Sequence, residues 1–326
     1  MSILWCGGED IDFPNAAVPV INTNTSTFRS TFARCSIGNQ DAPGWAIKSM
    51  TFPGGGVTSA WLTMRGSLGF GGSASALAGL GNLASGNWLG FGCSAPGYAV
   101  LMSVVGGVMT TLATSPLGIP GGLSKYDLQV INYGSAATLN LYINGTFYVS
   151  YTGNVSLTGA ANLDCVVAGF TNRFTSFYVS EVIVANESTL GFQGLATLAP
   201  NGNGATQQWS NPGYTNVNPT TINDANATYT NTVGQDEQLT TNNTPAGTYQ
   251  IKAVKVIARA QATAGSTATG LKLGFNNTNN ATVAEGGVHT LGSGFSPVEE
   301  YFTTDPTTGS AWGPNLNGYQ IEIKSE

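Results

Sequence analysis

Apolar and polar positions alternate over short runs through the first 190 residues, and glycine or proline closes nearly every run. "GWAIKSMTF", "SAWLTMRGSLGF", "GNWLGFGCS", "YAVLMSVV", "GVMTTLA", "KYDLQVINY", "ANLDCVVAGF" and "SFYVSEVIVA" each have the length and the β-branched or aromatic content of a strand. No window of helical length repeats every 3.6 residues. "SASALAGLGNLAS" is read as a loop, because its serines and glycines break a helix. Many short strands without helices predict an all-β sandwich or jelly roll.

Two hairpins stand out. Val104-Val105-Gly106-Gly107-Val108-Met109 reverses at paired glycines, and "TLNLYINGTFYVSYTG" reverses at Asn144-Gly145. The second contains a conflict of register. A two-residue turn pairs Ile143 with Thr146 and Leu141 with Tyr148. The apolar faces Leu139, Leu141, Ile143 and Phe147, Val149, Tyr151 meet only after a one-residue slip. Such a slip moves every side chain to the other face, so burial should decide. The expectation is Ile143 opposite Phe147 and Leu141 opposite Val149, with a three-residue loop or a bulge absorbing the difference.

The pattern changes near Gly191. From there to about residue 246 the chain is rich in Asn, Thr, Gly and Pro, yet keeps Trp209, Tyr214 and Tyr229. This stretch is read as an extended arm pinned by aromatics. "TYQIKAVKVIARAQA", "ATGLKLGF" and "YQIEIK" then read as strands. The domain expectation is a sandwich over 1–190, an arm over 191–246 and a small β domain over 247–326.

Composition narrows the function classes. Of 326 residues, 41% are apolar but only 9% are charged, against roughly 25% in a typical domain. No Asp, Glu, Lys or Arg occurs between Arg65 and Lys125. The net charge is −6, and no basic patch interleaves with aromatics, so nucleic acid is not an expected partner. The start "MSILWCGGEDIDF" lacks the basic and apolar regions of a secretory signal. The most apolar run, "YAVLMSVVGGVMTTLA", falls short of a spanning segment, so no membrane insertion is expected. Cys6, Cys35, Cys93 and Cys165 have no metal-ligand spacing and read as buried thiols of a reducing compartment. The Asn-x-Ser/Thr sequences at Asn24, Asn144, Asn154, Asn186 and Asn226 are read as compositional.

Candidate chemistry is sparse. Glu9, Asp10 and Asp12 form the only local carboxylate cluster, and they sit outside any mid-domain strand, where glycoside hydrolysis would need its acid pair. His289 is the only histidine and has no Gly-x-Ser-x-Gly elbow to accompany it. Gly54-Gly55-Gly56 lacks the trailing lysine of a phosphate cradle. No catalytic residue, cofactor or metal is therefore expected. Trp88, Tyr98, Trp209, Tyr214 and Trp312 lie in turn-like contexts and are the candidate glycan contacts, since exposed rings stack on the apolar faces of sugars.

Residues 1–190, through "LNLYINGTFYV" and the later strand "FYVSEVIVANEST", resemble the concanavalin A-like (LamG-type) jelly rolls. The start "WCGGEDIDF" and the second half, with "GFQGLATLAPNGNGATQQWS", "INDANATYTNTVGQDE", "IKAVKVIARA" and "DPTTGSAWGPNLNGYQIEIK", resemble tailed-bacteriophage structural proteins. The resemblance implies a component of a virion assembled in the host cytoplasm and does not tell head from tail. With the low charge, which suits extensive subunit contacts, the expectation is a non-enzymatic, multi-copy structural protein, placed at the tail or fibre ahead of the capsid. The alternatives are a capsid decoration protein and a receptor-binding lectin for host surface polysaccharide. The partners so implied are other virion proteins, copies of the chain itself (a homo-oligomer, a trimer being one form) and a host glycan.

Overall fold

The structure is a computed structural model, and it describes residues 3–7, 20–21, 35–37, 45–49, 51–69, 74–170, 176–191, 194–217, 224, 227–277 and 285–326. It divides into two units, residues 1–195 and 196–326. Both are all-β, as expected, and the strand pairing throughout is antiparallel.

The first unit contains β1 (Ile3–Gly7), β2 (Val20–Ile21), β3 (Cys35–Ile37), β4 (Trp45–Lys48), β5 (Ala60–Gly69), β6 (Ser75–Gly81), β7 (Trp88–Cys93), β8 (Tyr98–Val105), β9 (Val108–Gly118), β10 (Gly122–Ile131), β11 (Ala137–Ile143), β12 (Thr146–Gly153), β13 (Cys165–Phe170) and β14 (Ser176–Ala185). An eight-stranded sheet runs β12-β11-β10-β5-β14-β3-β2, with β1 also paired to β14. A six-stranded sheet runs β4-β13-β6-β7-β8-β9. The two sheets pack face to face in the manner of a jelly-roll sandwich. The ring of Phe91 on β7 stacks on that of Tyr126 on β10, with centroids 5.2 Å apart, and β12 lies against β8 and β9.

Burial explains why some strands alternate and others do not. β11 alternates strictly, with Ala137, Leu139, Leu141 and Ile143 buried and the residues between them partly exposed. Its outward face meets solvent. β6 and β7 are buried at every position. The far face of their sheet carries a second apolar layer of Ala76, Trp88, Val100, Met102, Val104, Cys165 and Val167. This corrects the loop expected at "SASALAGLGNLAS". The segment is a strand whose small residues let the backbones approach: a Cβ on Gly79 would lie 1.9 Å from the Leu89 carbonyl oxygen. Cys165 is buried in this layer, and Cys93 is buried elsewhere in the same sheet, where burial pushes its thiol up to about 11.

The Gly106-Gly107 hairpin forms as expected, with Val105 opposite Val108 and both glycines at positive φ. The Asn144-Gly145 hairpin needs a correction. Asn144 (φ 51°) and Gly145 (φ 79°) make the two-residue turn, so Ile143 pairs with Thr146 and not with Phe147. A bulge then absorbs Tyr148, and Leu141 pairs with Val149 as the apolar pattern required. Turn chemistry fixes the first two pairs and burial fixes the rest. Asn144 is held in its left-handed conformation by bonds to β10: Lys125 N–H donates to its Oδ1 (2.8 Å), its own N–H donates to the Lys125 carbonyl (2.8 Å), and Nδ2 donates to Ser124 Oγ (3.2 Å).

The second unit contains β15 (Pro200–Gln207), a turn of 3-10 helix at Tyr214–Asn216, β16 (Asp236–Thr241), β17 (Val254–Ala260), β18 (Gly270–Asn277), β19 (His289–Thr290), β20 (Ser296–Phe302) and β21 (Tyr319–Ser325). A sheet β15-β16-β21-β18-β19 and a ladder β17-β20 enclose a core that includes Leu239, Leu271, Leu273, Phe275, Val256, Val298 and Ile323. The segment expected as an arm over 191–246 thus supplies β15 and β16, two strands of this sheet. No helix among the described residues is long and apolar enough to cross a membrane.

Candidate functional site

The outward face of the eight-stranded sheet carries a strip of aromatic rings. Trp61 on β5 stacks on Tyr142 of β11, with centroids 5.8 Å apart and planes at 27°. Tyr142 meets the edge of Phe147 on β12 at 5.6 Å and 69°. Trp61 is 9% exposed and roots the strip, whereas Phe147 at its rim is 50% exposed. The bulge at Tyr148 makes this possible. It allows Phe147 to face outward beside Tyr142 while Val149, two positions on, faces inward beside Leu141.

Uncharged polar groups flank the rings. Asn140 on β11 donates from Nδ2 to Gln129 Oε1 on β10 at 2.8 Å, so the Asn140 carbonyl oxygen and the Gln129 amide hydrogens remain available. The Thr138 and Thr152 hydroxyls share a bond of 3.1 Å on the neighbouring strands. The charged groups described on this face are paired with one another. Lys125 Nζ bonds both Asp127 carboxylate oxygens (2.9 and 3.0 Å) and the carbonyls of Thr189 (2.6 Å) and Gly191 (3.0 Å). Thr189 Oγ1 donates to Asp127 Oδ1 at 2.8 Å, so residues 189–191 strap across a fully buried carboxylate. Arg65 pairs with Glu181 at 2.8 Å. The surface that remains offers ring faces, amides and hydroxyls without net charge. Such a surface suits the CH faces and hydroxyls of a neutral sugar.

None of the residues singled out from the sequence lies in this strip. Trp88 is 3% exposed inside the apolar layer of the six-stranded sheet. Trp312 is 8% exposed, donates to the Phe302 carbonyl (3.1 Å), and packs on Phe275 and Tyr319. Neither ring is free to stack on a sugar, which corrects both assignments. Trp209 is half-buried against the second unit's core and bonds the Gln235 carbonyl at 2.9 Å. Tyr98 and Tyr214 are exposed, in different units. Trp61, Tyr142 and Phe147 escaped notice because strand context marks a ring as core. The available signal was the outward phase of Tyr142 in the alternation of β11.

Glu9, Asp10 and Asp12 lie outside the described residues. His289 Nε2 lies 3.1 Å from Glu300 Oε2, so its ring is engaged by a carboxylate, not by a serine. In the second unit Asp236, Glu285 and Glu322 bring carboxylate oxygens within 4.8 Å of one another. Lysines already thread this cluster: Lys324 Nζ lies 2.6 Å and Lys272 Nζ 3.1 Å from Glu285, and Lys272 also reaches Glu326 at 2.8 Å. Burial pushes the Glu322 carboxyl up to about 7. The Gln238 amide opposes the shift, and the Asp236 and Glu285 carboxylates add to it.

No known protein family and no curated protein matches the chain. Among solved structures it is similar to a heptameric SAP-like pentraxin from Limulus polyphemus (14% identity, TM-score 0.34, covering 46% of this chain and 74% of that one). It is also similar to the carbohydrate-binding module CBM66 from Bacillus subtilis (12%, 0.32, 44% and 83%). A third is the galectin LEC-6 from Caenorhabditis elegans (16%, 0.28, 44% and 95%).

Proposed function

We propose that the chain is a non-enzymatic, multi-copy structural protein of a virion whose first unit binds a neutral saccharide. The observation that carries the binding role is the Trp61–Tyr142–Phe147 strip, flanked by the Asn140–Gln129 amide pair and standing on a face whose charges are internally paired. The resemblance of the second half to tailed-bacteriophage structural proteins supports a virion as the setting. In that setting a host surface polysaccharide is the source of the sugar, and the proposal takes a tail or fibre position ahead of capsid decoration. The carboxylates described on this face, Asp127 and Glu181, are tied to Lys125 and Arg65, so recognition without cleavage is the chemistry these groups support.

The test is a glycan array followed by calorimetric titration of the strongest neutral hit. Wild type binds, and Phe147→Ala weakens binding about tenfold, the scale of one lost aromatic contact. Absence of any neutral hit overturns the proposal, as does binding unchanged by both Phe147→Ala and Tyr142→Ala.

A further inference from the structure

The ring strip has a polar neighbour on the same face of its sheet. Strand pairing puts Gln129 opposite Trp61, Gln129 opposite Asn140, and Asn140 opposite Ser150. Side chains of residues directly opposite share a face, so one row across four strands reads Trp61, Gln129, Asn140, Ser150. Trp61 closes one end, Gln129 and Asn140 are partly exposed, and Ser150 is exposed at the other end. Tyr142 lies two residues beyond Asn140 on β11, on the same outward face and about 7 Å along the strand. Phe147 stands opposite Tyr142. A sugar ring lying on Tyr142 and Phe147 therefore brings its edge over Asn140 and Gln129.

The hydrogen-bonding capacity of that row is narrow. The bond between Asn140 and Gln129 (2.8 Å) takes one hydrogen from one amide and the oxygen of the other, leaving a whole NH2 group and a carbonyl oxygen. Exchanging the nitrogen and oxygen ends of both amides leaves the same set. One hydroxyl accepts from the NH2 group, and a second donates to the carbonyl. We infer that the Gln129–Asn140 pair determines the specificity of the saccharide site by reading two adjacent hydroxyls of one pyranose ring. Hydroxyls on neighbouring carbons are the closest pair a sugar offers. Each turns about its C–O bond to face the sheet, which suits two amides already in contact.

Other substituents fit the pair less well. An acetamido group holds a donor and an acceptor, but in its planar trans form they point in opposite directions, so from one side it meets only one of the two. A carboxylate or sulfate has no proton for the carbonyl. The cations described on this face, Lys125 and Arg65, are already paired with Asp127 and Glu181. The site thus takes neutral pyranoses with a free vicinal diol and discriminates against their deoxy and acetamido forms.

The inference rests on the strip binding a sugar and adds which hydroxyls are read. The test is ligand-observed NMR titration of the full chain with the methyl pyranosides of glucose, galactose and mannose and with the monodeoxy forms of each. At least one parent binds, and removing either of two adjacent hydroxyls weakens it about tenfold, the scale of one lost hydrogen bond whose partner stays unpaired. Gln129→Met, which keeps the length of the side chain without its amide, weakens the parent similarly and binds parent and deoxy form alike. Phe147→Ala weakens both and preserves their ratio. A flat deoxy series in wild type overturns the inference, as does affinity lost only at non-adjacent positions. A parent-to-deoxy ratio unchanged in Gln129→Met does so too, as does tighter binding of methyl N-acetylglucosaminide than of the glucoside. Absence of binding by every parent at about 10 mM also overturns it. In each of these cases, glycan-array binding that still depends on Phe147 leaves the binding role standing, and array binding indifferent to Phe147 and Tyr142 removes that role as well.

Discussion

Removing Tyr148 should be tolerated, although it deletes a residue from the middle of a strand. In the native hairpin the turn pairs Ile143 with Thr146 and Tyr142 with Phe147, and Tyr148 is then bulged out so that Leu141 reaches Val149. Deleting Tyr148 leaves all three pairs in regular register. Val149 and Tyr151 keep their inward phase, Phe147 keeps its place beside Tyr142, and the cost is the local contacts of Tyr148 alone, about 1 kcal/mol. Deleting Ser150 is the same change in length with the opposite result. Beyond Val149 the phase inverts, so the half-buried Tyr151 turns outward and the exposed Thr152 turns inward opposite Leu139. Losing the burial of one large side chain and placing a hydroxyl against the core costs about 2–4 kcal/mol. Equilibrium urea unfolding of both deletions measures the difference. Equal destabilisation by the two deletions would mean that Tyr148 is not the extra residue of the hairpin.

Two further outcomes follow from the packing and the charge state. Gly79→Ala in the first unit pushes a methyl into the Leu89 carbonyl; it should cost about 1–3 kcal/mol, whereas the same change at the open Gly54 leaves the unfolding midpoint nearly unmoved. In the second unit, the folded Glu322 carboxyl at about 7 binds its proton more tightly than the unfolded value of 4.5. Its contribution is therefore fully present below pH 4.5 and is lost as pH rises to 7, on the order of 3 kcal/mol. Glu322→Gln should gain on wild type over that window, and parallel stability curves for the two proteins contradict the assignment.

The alternation in β11 and the reversals at Gly106-Gly107 and Asn144-Gly145 were legible in the sequence, because local chemistry alone specifies them; the two-residue form of the second turn was not, since the apolar faces argued for Ile143 opposite Phe147. β6 was not. Its signal as a strand is burial on both faces, which depends on Trp88, Val100 and Val167 arriving from other strands, and its small residues mimic a loop. The face of Phe147 was misread for a related reason. Its phase depends on a single bulged residue, and a periodic pattern has no way to mark which position is extra. Trp88 and Trp312 sit beside turns in the sequence but point into cores, since chain reversal says nothing about the direction of a side chain.

The binding role of the first unit stands or falls with the Trp61–Tyr142–Phe147 strip holding a sugar. The most direct measurement is saturation-transfer NMR of a neutral oligosaccharide taken from the array, run on wild type and on Phe147→Ala. A sugar held by the strip receives ring-proton saturation on the apolar CH face of one residue, and the transfer collapses in Phe147→Ala while the folded spectrum persists. Transfer of equal strength in both proteins would contradict it.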